Sequence, residues 1–179
     1  SDALSPVGEY GMSALGRERT FQYFSQSLGR PAALVCLNYA VELRYGVLVD
    51  IASTVCKGEP IDVSMGHVNV IWQGDANALA LCAFAEASVP AMRCNGAGPE
   101  ILSVRDVAQA FGSLFGKPVT FAGVEASKAL LNDGTRMAHK YGPLQSSASY
   151  LYPLIADWIR RDQRLLGRPT HFQATDGVF

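Results

Sequence analysis

The chain has 179 residues, of which 49% are hydrophobic, and its 15 lysines and arginines nearly balance 16 aspartates and glutamates. A chain of this size can bury a core of its own, and its even charge offers no basic surface for nucleic acid or an anionic membrane. No apolar run is long enough to cross a bilayer and no signal peptide is visible, so we expect a cytoplasmic protein without membrane contact.

Helical and strand-like segments alternate along the chain, which predicts an α/β domain. The predicted helices cover residues 9–28, 46–56, 75–86 and 103–115, with a mainly helical stretch over 124–166. The predicted strands cover residues 32–37, 61–65, 68–72, 91–95 and 117–122. No linker or repeat divides the chain, so we expect one unit over residues 1–179.

Three segments carry more specific expectations. Residues 32–37 are continuously apolar, which is typical of a strand buried on both faces. Ser103 precedes a helix, and its hydroxyl can accept one of the free N–H groups of the first turn. The residues after Gly167 are polar and are expected to be loosely packed or docked across the surface. The last helical stretch is expected to have one apolar face, formed by Tyr150, Leu154, Trp158 and Ile159.

The cysteines and histidines do not predict a metal site. The four cysteines form no Cys-x-x-Cys pair and have no histidine at ligand spacing, so we interpret them as free thiols in apolar surroundings. The three histidines, His67, His139 and His171, are far apart in sequence, and we expect them at the surface or as hydrogen-bonded core residues.

The phosphate-binding fingerprint of a dinucleotide site is missing. Gly96 and Gly98 follow a strand-like run, but such a site needs a third glycine and a helix that begins directly after the turn. Here Pro99 and the two residues after it intervene. We interpret the two glycines as a turn that leads to the Ser103 helix.

The five residues from Tyr10 to Ala14 read Tyr-Gly-Met-Ser-Ala, and Glu18 follows. This stretch resembles the Tyr-Gly-x-Ser-Lys segment of the NAD-dependent epimerases and dehydratases, which are extended short-chain dehydrogenases/reductases. The resemblance implies that Tyr10 is the catalytic acid/base. The family's lysine, one helical turn later, favours the phenolate and reaches the nicotinamide ribose, and Ala14 can do neither. Arg17 shares the helix face of Tyr10, but it stays protonated and could supply only an electric field.

Later blocks resemble the same family in the same order, over about residues 5–158. The strand of residues 32–37 resembles one that carries Arg-x-x-Asn and ends at the nicotinamide and the substrate. Cys36 stands in the place of the arginine, Asn38 lies one place early, and Tyr39 is at the aligned position. Residues 68–76 resemble Arg-x-Phe-x-x-Val-x-Asp-Val-Ala, and residues 94–107 resemble the segment that leads to the substrate-domain helix.

The resemblance assigns further site residues. It implies that Tyr39 contacts the cofactor and that Asn38 binds substrate, because α/β sheets bind ligands beyond the carboxyl ends of their strands. Arg44 lies in the loop that covers the substrate in the family and could clamp an anionic group, although a solvated loop arginine is the alternative. Asp75 matches the aspartate of its block, and we expect it to cap free N–H groups at a helix start.

For the whole chain the resemblance implies the late part of a Rossmann-like parallel sheet plus a small substrate-binding α/β domain. The N-terminal dinucleotide-binding half would be missing, upstream of the Tyr10 helix. The complete protein would use NAD or NADP to oxidise and reduce a sugar-nucleotide or related hydroxyl. This chain alone would bind no cofactor tightly and would be inactive.

Two alternatives stay open. Ala14 supports a non-catalytic member of the same fold that binds a nucleotide or another small ligand. The chain could also be an α/β domain that shares only the ancestral fold. A truncated parallel sheet exposes strand edges, so we expect pairing with the missing half or a homodimer. In the family such dimers pack the tyrosine-bearing helix into a four-helix interface, which here would use Phe21 and Phe24.

Overall fold

One helix packs on a face of a parallel strand pair, a second helix touches the opposite face, and a three-helix cluster packs beside them. A computed structural model describes residues 4–174. The helices are α1 Gly8–Leu28, α2 Val47–Lys57, α3 Gln73–Phe84, α4 Val104–Phe115, α5 Thr135–Tyr141 and α6 Ala148–Arg160. The strands are β1 Ala33–Leu37, β2 Ala40–Val41, β3 Ile61–Asp62, β4 His67–Val68, β5 Ile71–Trp72, β6 Met92–Gly96, β7 Leu102–Ser103 and β8 Phe121–Ala122.

The strands pair in four two-stranded ladders. The pairs β1–β6, β2–β5 and β3–β8 are parallel, whereas β4–β7 is antiparallel. In the longest ladder Ala33 lies opposite Met92 and Leu37 lies opposite Gly96. The predicted α/β class with parallel strands is therefore confirmed.

Local capping signals place the ends of the helices. The Ser103 hydroxyl accepts the N–H of Asp106 at 3.3 Å, so the predicted cap of α4 is confirmed. Helix α1 ends at Gly29, which has a left-handed backbone. Gly46 begins α2 with φ of 119°, and a Cβ there would lie 2.9 Å from the Val41 Cα. Only glycine fits that position, because both the conformation and the space exclude a side chain.

The main core lies between α2, α4 and α6. Its largest fully buried side chains include Leu48, Phe111, Leu151 and Ile155. Phe172 also enters this core and is 2% exposed. The segment after Gly167 is therefore docked as far as residue 174, and residues 175–179 lie outside the described part of the chain.

A second, smaller cluster joins α3 to the β1–β6 ladder. It contains Leu79 and Ala83 of α3, Cys94 of β6 and Met137 of α5. Alternate side chains of a strand point to opposite faces, so Leu34 and Cys36 of β1 point to the other face of the ladder, toward α1. All four cysteines are free thiols, and burial raises the pKa of Cys94.

Several predicted boundaries were wrong. Helix α3 spans residues 73–84 rather than 75–86. It ends before Ala85 because the N–H groups of Ala85 and Glu86 bond to carbonyls three residues earlier, as in a turn. The strands expected over 61–65, 68–72 and 117–122 are two-residue pieces. In the first of them, Ser64 N–H donates to the Asp62 carboxylate at 2.8 Å and turns the chain. The stretch over 124–166 contains only α5 and α6 as helices.

The predicted burial of two elements was also wrong. The inner face of α6 carries Leu151, Ile155 and Ala156, whereas Tyr150 is 61% exposed. The face of α6 that meets α2 and α4 thus lies one residue further along the helix than the face that the sequence predicted. Strand β1 is only half-buried, and one of its edges has no strand partner within residues 4–174.

Candidate functional site

Helix α1 lies against the ladder with its N-terminus beyond the carboxyl end of β1. Glu18 of α1 lies 3.0 Å from the Nε of Arg93 and 3.9 Å from the Cys36 sulfur near that end. Ser25, two turns later, donates to Arg30 O at 2.7 Å, just before the strand begins. The helix therefore runs antiparallel to β1. Tyr10 precedes Glu18 by eight residues, or about 12 Å of helix, so it projects past the sheet edge. Its side chain is 69% exposed.

A network of three asparagines occupies the carboxyl edge of β1. Asn38 continues the ladder, with its N–H donating to Gly96 O at 2.9 Å. The Asn38 amide nitrogen donates to the Asn69 side-chain oxygen at 2.7 Å. Asn69 is 3% exposed and donates in turn to Gly98 O and to Asn132 O. Asn132 closes the network by donating from its side chain to Cys36 O at 2.9 Å. The network joins the ends of β1 and β6 to the segment before α5.

Tyr39 and Arg44 lie on the chain segment that follows. Tyr39 is half-buried and packs against the main core, and this burial raises its pKa. Its carbonyl accepts the N–H of Ile71, which starts the β2–β5 ladder. Arg44 lies on the turn before α2, with its Nε 3.0 Å from the Glu42 carboxylate. The structure thus places Asn38 and Tyr39 at one sheet edge and Arg44 on the neighbouring turn.

Sequence reasoning missed Asn69 and Asn132 as members of the site. An asparagine between Val68 and Val70, inside an apolar stretch, is the signal that could have identified Asn69. A buried amide requires partners for both of its donors and for its oxygen, so its presence there indicates a polar network. Asn132 carries no such signal, because it lies in an irregular segment.

Asp75 was expected to cap the start of its own helix, α3, but it binds N–H groups of the segment before α6. Its carboxylate accepts from Ser146 at 3.0 Å and from Gln145 at 3.4 Å, in the segment before α6. Glu100 accepts the N–H of Ala148 at 3.1 Å. Glu100 thus satisfies a free N–H group of the first turn of α6, and Asp75 holds the segment that leads into this helix. Beside them lies a cavity of about 280 Å³, lined mainly by apolar residues that include Val70, Gly98, Leu102 and Leu144.

The glycines after β6 do not form a pyrophosphate site. A Cβ on Gly98 would lie 1.9 Å from Val70 O, so this glycine allows two loops to pack closely. The chain continues into β7 before α4 begins, and no helix N-terminus follows the glycines directly. The residues around Gly96 and Gly98 therefore do not fit the phosphates of a dinucleotide. Within residues 4–174 no cluster of His, Cys, Asp and Glu could hold a metal ion, and no helix is long and apolar enough to span a bilayer.

These elements define a mixed α/β fold with a Rossmann-like parallel ladder and polar residues at its carboxyl edge. The fold matches UDP-glucose 4-epimerase from Thermus thermophilus, solved in complex with NAD, with a TM-score of 0.71 and 18% identity. It also matches UDP-glucuronic acid 4-epimerase from Bacillus cereus (TM-score 0.72, 14% identity). A third match is dTDP-glucose 4,6-dehydratase from Bacillus anthracis (TM-score 0.74, 11% identity).

The matches cover 87%, 92% and 89% of this chain, but only 55%, 59% and 54% of the respective enzymes. The chain thus spans a little more than half the length of the structures it resembles. No protein-family model and no curated protein matches its sequence. At these identities the comparison establishes the shared fold.

Proposed function

We propose that this chain is the substrate-side part of a cytoplasmic NAD(P)-dependent oxidoreductase, of the epimerase/dehydratase type, that acts on a sugar nucleotide or a related hydroxyl compound. One observation carries the proposal. The helix that bears Tyr10 projects past the same edge of a parallel ladder at which Asn38 and Tyr39 leave β1. Ligands of α/β sheets bind at that edge, and the matching structures include sugar-nucleotide epimerases and a dehydratase.

Each site residue has a role that its surroundings allow. The Tyr10 phenol would exchange a proton with a substrate hydroxyl, because it is exposed beyond the sheet edge. The Asn38 side-chain oxygen accepts no hydrogen bond within residues 4–174, while its nitrogen is held by Asn69. That oxygen can therefore accept a substrate hydroxyl. Arg44 would exchange Glu42 for an anionic substrate group, since an exposed ion pair contributes only about 0–1 kcal/mol.

The cofactor, NAD or NADP, would be held by a dinucleotide-binding half that is either joined to these residues or supplied by another chain. One edge of strand β1 offers a place where a strand of that half could pair. Met92 N–H donates to Ala32 O and Asn38 N–H to Gly96 O, so the backbone groups of residues 33, 35 and 37 point to the other edge of β1. A further strand of a parallel sheet would bond there.

Helix α1 supports the proposal of a homodimer. Phe21 and Phe24 are 55% and 50% exposed, and Leu28 on the same side is 64% exposed. The spacing of three and four residues places these side chains in one row along the helix. A second copy would cover this row by packing its own α1 against it. Sedimentation at micromolar concentration tests this, because a monomer would contradict the dimer.

The first test of function is titration of this chain with UDP-glucose, followed by NMR. We expect the largest signal shifts at Asn38, Tyr39 and Arg44, and about 10-fold weaker binding for R44A through loss of a charge-assisted bond. R105A is the matched control, because Arg105 forms an exposed ion pair with Glu125 on another surface. Equal binding by R44A and R105A, or shifts confined to other surfaces, would refute the substrate site. We expect no micromolar affinity for NAD.

A non-catalytic ligand-binding protein is the second candidate, and Ala14 is the observation that favours it. Alanine carries no ammonium group, so position 14 cannot favour the Tyr10 phenolate in the way that the family's lysine would. The test is A14K in protein that also contains the dinucleotide-binding half. A gain in turnover would indicate catalysis weakened by the missing lysine, whereas unchanged turnover with intact ligand binding would favour the non-catalytic function.

A further inference from the structure

Helix α1 buries very few of its side chains. It has 21 residues, yet Ser25 is the only one of them that is buried. The Ser25 hydroxyl donates to Arg30 O at 2.7 Å and lies 3.4 Å from Ser88 O. A surface helix is normally oriented by a buried apolar stripe, whereas the apolar residues of α1 on the side of Ser25, Ala14 and Leu15, are only half-buried. Polar contacts therefore contribute strongly to the direction in which this helix points.

The second attachment is a cluster around Glu18, two turns before Ser25 on the same side of α1. The Glu18 carboxylate is 3.0 Å from the Nε of Arg93, and its other oxygen is 3.9 Å from the Cys36 sulfur. The Glu18 side chain is 16% exposed and that of Arg93 is 38% exposed, so the ion pair is partly shielded from water. Arg93 lies opposite Leu34 in the ladder, and its side chain points to the α1 face together with Cys36.

We propose that Arg93 is the positioning residue for Tyr10. The Glu18–Arg93 ion pair lies closer to the N-terminus of α1 than the hydrogen bond of Ser25 does. From there Tyr10 is carried on about 12 Å of helix. A tilt of about 10° at Glu18 would move Tyr10 by about 2 Å, and a displacement of about 1 Å can slow an enzymatic step about 100-fold.

The inference rests on the proposed function only in treating Tyr10 as the reacting group. The apolar residues Ala14 and Leu15, between Tyr10 and Glu18, are half-buried, and R93M leaves both of them in place. Arg93 acts on the site through the direction of α1 and does not itself touch substrate.

The test compares three variants of the chain. R93M removes the ion pair. R93M/C36R returns a guanidinium from β1, because position 36 already lies beside Glu18 on the same face. R105M is the matched control, since it breaks the ion pair with Glu125 on a distant surface. The two measurements are hydrogen exchange of the amides of residues 11–18, which are bonded within the helix, and the ring NMR signals of Tyr10, assigned with Y10F in protein with ¹³C-labelled tyrosine.

We expect R93M to accelerate exchange over residues 11–18 about 5-fold or more and to shift the Tyr10 signals. R93M/C36R should reverse both effects, and R105M should show neither. Unchanged α1 exchange and Tyr10 signals in R93M would overturn the proposal, as would failure of C36R to restore them. Acceleration throughout α4 and α6 as well would show general destabilisation and would also overturn it. Neither measurement uses substrate or cofactor, so failure of the proposed function would appear only in the UDP-glucose titration.

Discussion

Replacing Asn69 by alanine removes the side chain that joins three segments at the carboxyl edge of β1. Its oxygen accepts from the Asn38 side chain at 2.7 Å and from Asn132 N–H at 3.2 Å. Its nitrogen donates to Gly98 O at 3.0 Å and to Asn132 O at 2.6 Å. Asn69 is 3% exposed, so water does not replace these bonds at the centre of the network.

The magnitude follows from the number of bonds and the burial of their partners. A net contribution of about 1 kcal/mol per hydrogen bond gives about 4 kcal/mol for the four bonds. Asn38 and Asn132 are only half-buried, and water can satisfy part of what they lose. We therefore expect N69A to lower the free energy of unfolding by about 3 kcal/mol.

Urea unfolding at neutral pH, followed by circular dichroism, measures this difference. Asn77 provides the control, because it lies on the exposed side of α3, and N77A should change the stability by about 0.5 kcal/mol or less. N69A should also weaken the UDP-glucose shifts at Asn38, whose side chain loses the shorter of its two hydrogen bonds and keeps the one to the backbone oxygen of residue 69. A loss below about 1 kcal/mol for N69A would show that the amide network is not a stabilising element, and the reasoning would fail.

Three further predictions concern other elements. S103A should lower the free energy of unfolding by about 1 kcal/mol through loss of the α4 cap, whereas S113A in the same helix should have little effect; urea unfolding of both variants checks this. F172A should cost about 3–5 kcal/mol, since this side chain is 2% exposed in the main core, and a thermal midpoint equal to that of the unmodified protein would contradict it. Burial raises the pKa of Asp50 above its ordinary value of 3.8, and the Thr170 hydroxyl bond opposes this shift. The stabilising contribution of Asp50 is therefore fully present below pH 3.8 and decreases as pH rises through the folded-state pKa. T170V should raise that pKa further in an NMR titration, and a lower pKa would contradict the assignment.

Helix boundaries were predictable where a local signal exists. Gly29 ends α1 and Ser103 begins α4 because the conformation of a glycine and the hydrogen bond of a hydroxyl act within one helical turn. The short strands were not predictable in the same way. Asp62 breaks one of them through a bond to Ser64, and the others pair over only two residues. Strand pairing depends on partners far away in sequence, which an apolar run does not identify.

The same distinction between local signals and distant partners applies to the candidate site. The motif at Tyr10 and the strand that leads into Asn38 and Tyr39 could be recognised in the sequence, because each lies within one continuous segment. The partners Asn69 and Asn132 are 31 and 94 residues from Asn38, and only folding shows that they meet. The same holds for Arg44, since no spacing rule indicates whether its guanidinium is solvated or, as observed, bound to Glu42.

The amino-acid sequence by itself determined the α/β class, helices α1, α2 and α4 with the Ser103 cap, and the segments that carry the candidate site. Periodicity, capping and turn chemistry are local, so they are complete within a few residues of chain. Only the tertiary structure decided that α1 is attached through Glu18 and Arg93, that Asn69 joins three segments, and that Phe172 completes the core. These features arise from burial and from hydrogen bonds between distant residues, whose energy depends on which groups the folded chain brings together.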